Sequence, residues 1–189
     1  MCVASTGENV QRAIELMGQG AYERAFLPAA NAIALTINKA KGIDGTSELA
    51  VQRFVKENFE LITFMGMPRA LPLPLDIPFK VKRIIPSFNV LHGVEEIVAL
   101  TLTETFKFGR LPEVFTVGTS GKFEVSRGRL LLPTGLVCGL LGSVIFHPVN
   151  SGEQIADDCW ISISEFKMFV SELFGRRDLA ERIMKFYLA

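Results

Sequence analysis

The run from Ala21 to Lys41 constrains this chain more than any other stretch. Tyr22, Phe26, Ala29, Ile33 and Ile37 recur in it at helical spacing, and Ala25, Ala30, Ala32 and Ala34 widen the apolar stripe. Alanine keeps helix propensity high while letting neighbouring helices approach closely. The run therefore predicts a central core helix. A shorter amphipathic helix from about Glu8 precedes it, the two joined at Gly18–Gly20. Pro28 removes one backbone donor inside the second helix and should bend it. Asn31 is expected as a buried or half-buried amide satisfied by a neighbouring carbonyl. Gly42, behind Lys39 and Lys41, is a fitting C-terminal stop.

At 189 residues the chain fits one domain, 1–189, and one of this size buries about 70% of the surface its unfolded form exposes. Twenty basic and twenty acidic residues cancel. That balance argues against a partner recognised by net charge, though not against local patches. Hydrophobic residues make up 49%, with 15 Phe against one Trp and two Tyr. Such a surplus predicts a large core, an oligomer interface, or both. Cys2, Cys138 and Cys159 show no metal-ligand spacing, and three cysteines without a framework suit a reducing compartment. The opening MCVASTGENV lacks a basic start and an apolar stretch, so no signal peptide is expected and the protein is read as cytoplasmic. Residues 130–152 carry no formal charge. The helix expected there, Pro133 to Phe146, is about 14 residues long and too short to cross a bilayer, so no membrane partner is expected.

Ser47 is placed to cap a third helix with Val51, Phe54, Val55, Phe59, Ile62 and Met65 as its buried stripe. Prolines at 68, 72, 74 and 78 impose an extended connection. Residues 79–85 fit a short strand as well as a helical turn. A helix capped at Ser87 is preferred through Phe108, although 98–108 also alternates as a strand does, and Gly109 stops it. Two β runs, 114–117 and 123–126, flank a Gly118–Gly121 turn and read as a hairpin; a third run, 129–132, follows the Arg127–Gly128 turn. In the tail, Ser162 and Glu165 have capping-box spacing ahead of a helix whose apolar face is Phe166, Phe169, Val170 and Leu173. A last helix from about Asp178 should turn Leu179, Ile183, Phe186 and Tyr187 inward. The fold class that follows is mainly α (α+β): a helical core with a small antiparallel β-hairpin.

No nucleophile, metal cluster or phosphate loop stands out, and no cofactor is implied. His92 and His147 are the two imidazoles and the candidate functional histidines. His147 ends an apolar helix, where its first role is to meet the last carbonyls. Asp157, Asp158 and Cys159 follow, but one His without a second at i+3 or i+4 is a poor metal signal. Glu95 and Glu96 beside His92 offer an acid and a base, yet adjacent helical positions point apart. Basic residues gather as Lys80, Lys82 and Arg83, as Lys107 and Arg110, and as Lys122, Arg127 and Arg129. Lys80, Lys82, Arg83, Lys107 and Arg110 form the candidate nucleic-acid-binding set, since Lys and Arg neutralise phosphates. The competing reading is an ordinary solvated loop and hairpin.

Three stretches carry a family resemblance. GAYERAFLPAANAIALTINKAKG resembles the long N-terminal helix pair of the HEPN superfamily, small helical domains associated with nucleotide binding and ribonuclease activity. VEEIVALTLTETFKFGRLPEVFTV is similar to that family's later helix running out into a strand, and RGRLLLPTGLVCGLLGSVIFHPVN to the strand and helix appended in some members. Many members are dimeric ribonucleases with a catalytic Arg and His a few residues apart on the later helix. Here Val94–Phe108 contains neither, and His92 has no Arg at that distance. The resemblance thus implies a non-catalytic interaction module, homodimeric through its helical core, recognising a protein or an RNA in a defence or stress system. Two other readings stand beside it. One is a divergent ribonuclease using His92 or His147; the other is a binder of small apolar ligands between the Pro-rich connection and the Phe-rich helices.

Overall fold

A computed structural model describes residues 4–67, 76–84, 93–118, 120–163 and 166–188. Helix α1 (Thr6–Gly18) opens on a capping box in which Ser5 Oγ accepts from the Glu8 N–H and the Glu8 carboxylate accepts from the Ser5 N–H. After the Gly18–Gly20 corner comes α2 (Tyr22–Lys41), the expected core helix. Ala25, Phe26, Ala29, Ala30, Ala32 and Ile33 in it are fully buried. Gly42 ends it in the left-handed region at φ 65°, where a side chain would be strained. Helix α3 (Glu48–Gly66) follows Ser47 and buries Val51, Phe54, Val55 and Ile62, with Phe59 and Met65 packed at the core's edge.

Residues on either side of the proline-rich stretch are helical. Helix α4 (Asp76–Ile84) answers the ambiguity over residues 79–84, and Pro78 falls in its first turn, where no helical donor is needed. Positions 68–75, including the other three prolines, and Ser87 lie outside the described residues. Helix α5 (Val94–Phe108) ends at Gly109. Its strand-like alternation has a physical source. Thr101, Thr103 and Thr105 are buried, and each hydroxyl donates to the carbonyl four residues back, at 2.8, 2.9 and 2.7 Å. Threonines that satisfy themselves on the helix behave as apolar side chains.

The first sheet has three strands, β1 (Phe115–Gly118), β2 (Glu124–Ser126) and β3 (Arg129–Pro133), in the order β1-β3-β2. The last strand in sequence is central, parallel to β1 and antiparallel to β2. This corrects the expected hairpin between the first two runs: the hairpin joins β2 to β3. Arg127 and Gly128 both take positive φ, 50° and 72°, which gives the tight turn whose twist matches the strands. Pro133 closes β3 instead of opening the next helix, and α6 (Gly135–Ile145) starts after Thr134.

A second correction concerns the tail. Residues expected as a helix form the antiparallel pair β4 (Trp160–Ile163) and β5 (Phe166–Phe169). Ile161 and Met168 pack against the core, while Trp160, Ser162, Lys167 and Phe169 are exposed. That is a period of two, and the helical spacing of Phe166, Phe169 and Val170 is incidental. Beyond a short 3-10 turn (Val170–Glu172), α7 (Arg177–Leu188) buries Ala180 and Met184. Phe186 and Tyr187, expected inward, are 76% and 39% exposed.

The core is sealed where α6 crosses α3. A Cβ on Gly135 would lie 1.9 Å from the Gly66 carbonyl oxygen, and one on Gly139 2.3 Å from that of Ile62. Only glycine permits backbones this close. Asn150 pins the far end of α6: its Nδ2 donates to Thr36 Oγ1 at 2.9 Å and to the Val144 carbonyl at 2.8 Å. The architecture is mainly α with a small β component. No helix among the described residues is long and apolar enough to cross a membrane.

Candidate anion-binding groove

Between the first two helices and the three-stranded sheet lies a groove of about 620 Å³. Its floor is apolar, with Leu16 from α1, Leu27 and Pro28 from α2, and Leu111 and Phe115 from the chain entering β1. Arg12, Arg24, Arg110 and Arg129 surround it against two acids, Glu23 and Glu113, a formal charge of four minus two, or +2. A chain with no net charge has thus placed a local excess of guanidinium around one recess.

The two acids, already counted in that +2, are held in different ways. Glu23 is committed to holding β1 onto α2, accepting from the Thr116 hydroxyl and from the Val117 N–H at 3.3 Å. Glu113 reaches Arg110 only at 3.7 Å, with both side chains more than two-thirds exposed, and Arg12 meets Glu15 at 3.4 Å, also in solvent. Exposed pairs of this kind contribute on the order of 0–1 kcal/mol and yield readily to a better partner. The side chains of Arg24 and Arg129 have no hydrogen bond or ion pair among the described residues. Pro28 leaves the Arg24 carbonyl without its i+4 donor, an acceptor open to a ligand hydroxyl or N–H but not to an anion. Asn31, expected to be buried or half-buried, is exposed on the rim. Arg24, Leu27, Pro28 and Asn31 share one helical face, opposite the stripe that enters the core. Guanidinium forks bind phosphate or carboxylate bidentately, so the recess suits an anion with an apolar portion.

The structure separates the basic residues singled out from sequence. Arg110 lines the groove, but Lys107 turns to Glu104, Nζ to Oε1 2.7 Å, and this hydrogen bond raises the pKa of the lysine. Lys80, Lys82 and Arg83 ride on α4, which packs against β2, and do not line the groove. Lys122 pairs with Glu124 at 3.3 Å. Arg12 and Arg24 escaped the sequence reading. The clue to Arg24 was a helical face holding both a proline and an amide; Arg129 joins it only through the parallel pairing of β3 with β1.

The His147 side chain caps the 3-10 turn Pro148–Asn150 instead of meeting the last carbonyls of α6. Its Nδ1 accepts from the Val149 N–H at 3.3 Å, and its ring stacks on Phe54 with centroids 5.9 Å apart. Burial lowers its pKa, and the Arg177 guanidinium adds to the effect. His92 lies outside the described residues, as does the Pro-rich wall (68–75) of the postulated apolar-ligand pocket. Glu95 and Glu96 sit half-buried in the first turn of α5, where the helix end favours negative charge. Asp158 and Cys159 line a separate cleft between α1 and α6, shared with Cys138. Burial raises the pKa of both thiols. Among the described residues no group of three or more His, Cys, Asp or Glu is arranged to hold a metal ion.

Fold and groove define a small, mainly helical protein with an arginine-rimmed recess. A family model described as Rv1289 matches residues 101–188, from within α5 to the end of α7. The chain is similar to the uncharacterised protein Rv1289 of Mycobacterium tuberculosis and the uncharacterised protein Mb1320 of Mycobacterium bovis. Each is 25% identical over 186 residues, covering 94% of this chain and 86% of the relative. No solved structure matches at a comparable level. The family match contains Arg110 and Arg129, whereas Arg12 and Arg24 come from the helix pair ahead of it.

Proposed function

We propose that this protein is a non-catalytic, HEPN-like recognition module that binds single-stranded RNA through the arginine groove. One observation carries the reading: Arg24 and Arg129 stand on a half-apolar recess without an acidic partner among the described residues. Two such forks engage successive phosphates, and the Leu27–Leu111 side of the floor takes the apolar surface of a sugar or base. The described lining of the groove is arginine, asparagine, glutamate and apolar side chains, which suits binding of a phosphate chain. The working form is a homodimer in the reducing cytoplasm, serving a defence or stress system; the apolar excess and the family resemblance support it.

The test is fluorescence anisotropy with a short single-stranded RNA across a salt series. Engagement of two phosphates predicts a slope of log affinity against log salt of about −1.4. The Arg24→Glu, Arg129→Glu double variant should weaken binding about tenfold or more, with the RNA intact throughout. Unchanged affinity in that variant removes the groove from consideration. RNA cleavage abolished by His147→Ala would instead assign a divergent ribonuclease.

A further inference from the structure

We infer that the face built by β4, β5 and α7 docks on an anionic lipid surface. Among the described residues, four of the seven large hydrophobic side chains exposed to solvent gather there: Trp160, Phe169, Phe186 and Tyr187. Cross-strand pairing of Trp160 with Phe169 puts both on the outer face of the hairpin, and Lys167 Nζ sits 4.3 Å from the centroid of the Trp160 ring. Phe186 meets Tyr187 edge-on with centroids 5.5 Å apart. A cleft of about 400 Å³ lies between hairpin and α7, walled by Met168, Leu179 and Ile183, edged by Lys167 and Arg182, and lined by no acid among the described residues.

Helix α7 carries two apolar stripes. Ala180 and Met184 enter the core, while Leu179 and Ile183, half-buried against its edge, and the exposed Phe186 line the cleft at steps of four and three. Its acids are already engaged. Asp178 takes Arg176 through both oxygens at 3.0 and 3.1 Å, and Glu181 takes Arg177 at 3.5 Å. Lys167, Arg182 and Lys185 form no salt bridge among the described residues. A second copy packed face to face would set these cations against their own kind, whereas an anionic surface neutralises them. Three acids stand near this face: Asp158 and Glu15 line, together with Trp160, the cleft against α1, and Glu172 is exposed in the turn between β5 and α7. A ring as prominent as Phe186, 76% exposed, needs a partner that deforms around it. The headgroup layer does so, and it is where Trp, Tyr and snorkelling Lys and Arg reside. Such docking lies along the membrane and spans nothing.

Trp160 is the single tryptophan of the chain, so its emission reports on this face. Vesicles of mixed phosphatidylglycerol and phosphatidylcholine should co-sediment the protein about tenfold more strongly than phosphatidylcholine alone, with the difference shrinking in salt. Trp160 emission should shift to the blue and be quenched by brominated acyl chains. The Lys167→Glu, Arg182→Glu variant should lose binding, and Phe186→Ser, at an exposed position, should weaken it about tenfold with an unchanged circular dichroism spectrum. The Arg24→Glu, Arg129→Glu variant should bind vesicles as the parent does, which keeps this inference separate from the RNA reading. No binding to the mixed vesicles, or binding with unaltered Trp160 emission, overturns it. So does a dimer that Phe186→Ser converts to monomer, which would assign the face to a second copy. Preferential capture by polyglutamate would assign it to an acidic protein.

Discussion

His147 shows how burial decides what a residue can do. The neutral ring accepts from the Val149 N–H through Nδ1, and burial holds its pKa below the ordinary 6.5. Protonation puts a hydrogen on Nδ1 and removes that acceptor. The unfolded chain therefore takes up the proton first, so this contribution to stability is complete above about pH 6.5 and is lost progressively as pH falls from there through the lower folded-state pKa. Urea midpoints followed from neutral to mildly acidic pH should show the decline, and His147→Gln should flatten it. An identical decline in the variant would exclude His147 as its source. Asp44 and Asp178, whose pKa values hydrogen bonds pull below 3.8, act in a more acidic window and do not confuse the result. At this scale the sequence was only partly readable. It placed His147 correctly at a helix end, yet Asn31 looked buried because a lone amide among alanines resembles a core residue. What exposes Asn31 is the turn of α2 on which it falls, shared with Arg24 and Pro28.

Elements were most legible where one period dominated. Helices α2 and α3 follow their stripes, and Gly42 and Gly109 end α2 and α5 in the left-handed conformation. Residues 160–169 failed because two periods overlap there: the phenylalanines suggest a helix, while Ile161 and Met168 obey the strand. The glycines of α6 carry a sharper message than their membrane-like spacing conveyed. Gly139→Ala pushes a methyl into the Ile62 carbonyl and should cost on the order of 1–3 kcal/mol. Gly135→Ala, with the closer approach at 1.9 Å, should cost more. Gly121→Ala, with nothing within 4 Å, is the control and should stay within about 0.5 kcal/mol of the parent. Thermal melts followed by circular dichroism rank the three; equal midpoints for Gly139→Ala and Gly121→Ala would contradict the close crossing.

At the scale of the whole molecule, the proposed homodimer predicts about twice the monomer mass of 20.9 kDa by light scattering at micromolar concentration. A monomer there would remove dimerisation from the functional reading. The groove and the sheet order were the least legible features, since both depend on β3 finding β1 across an intervening strand. No local pattern announces that choice: Arg129 and Phe115 meet only because Leu130 pairs with Phe115 in parallel. The same insertion sets a schedule for synthesis. The strand that holds the sheet together leaves the ribosome last of the three, and α6, the helix that covers α2 and α3, follows it directly. From Lys41 to Ile145 the ribosome adds 104 residues (145 minus 41). At about 5–20 residues per second, the alanine face of α2 waits on the order of 5–20 s for its cover. The nascent chain thus passes through an interval in which the alanine face of α2 is complete but unsealed. Those seconds are the time in which a chaperone that binds apolar surface has access to that face.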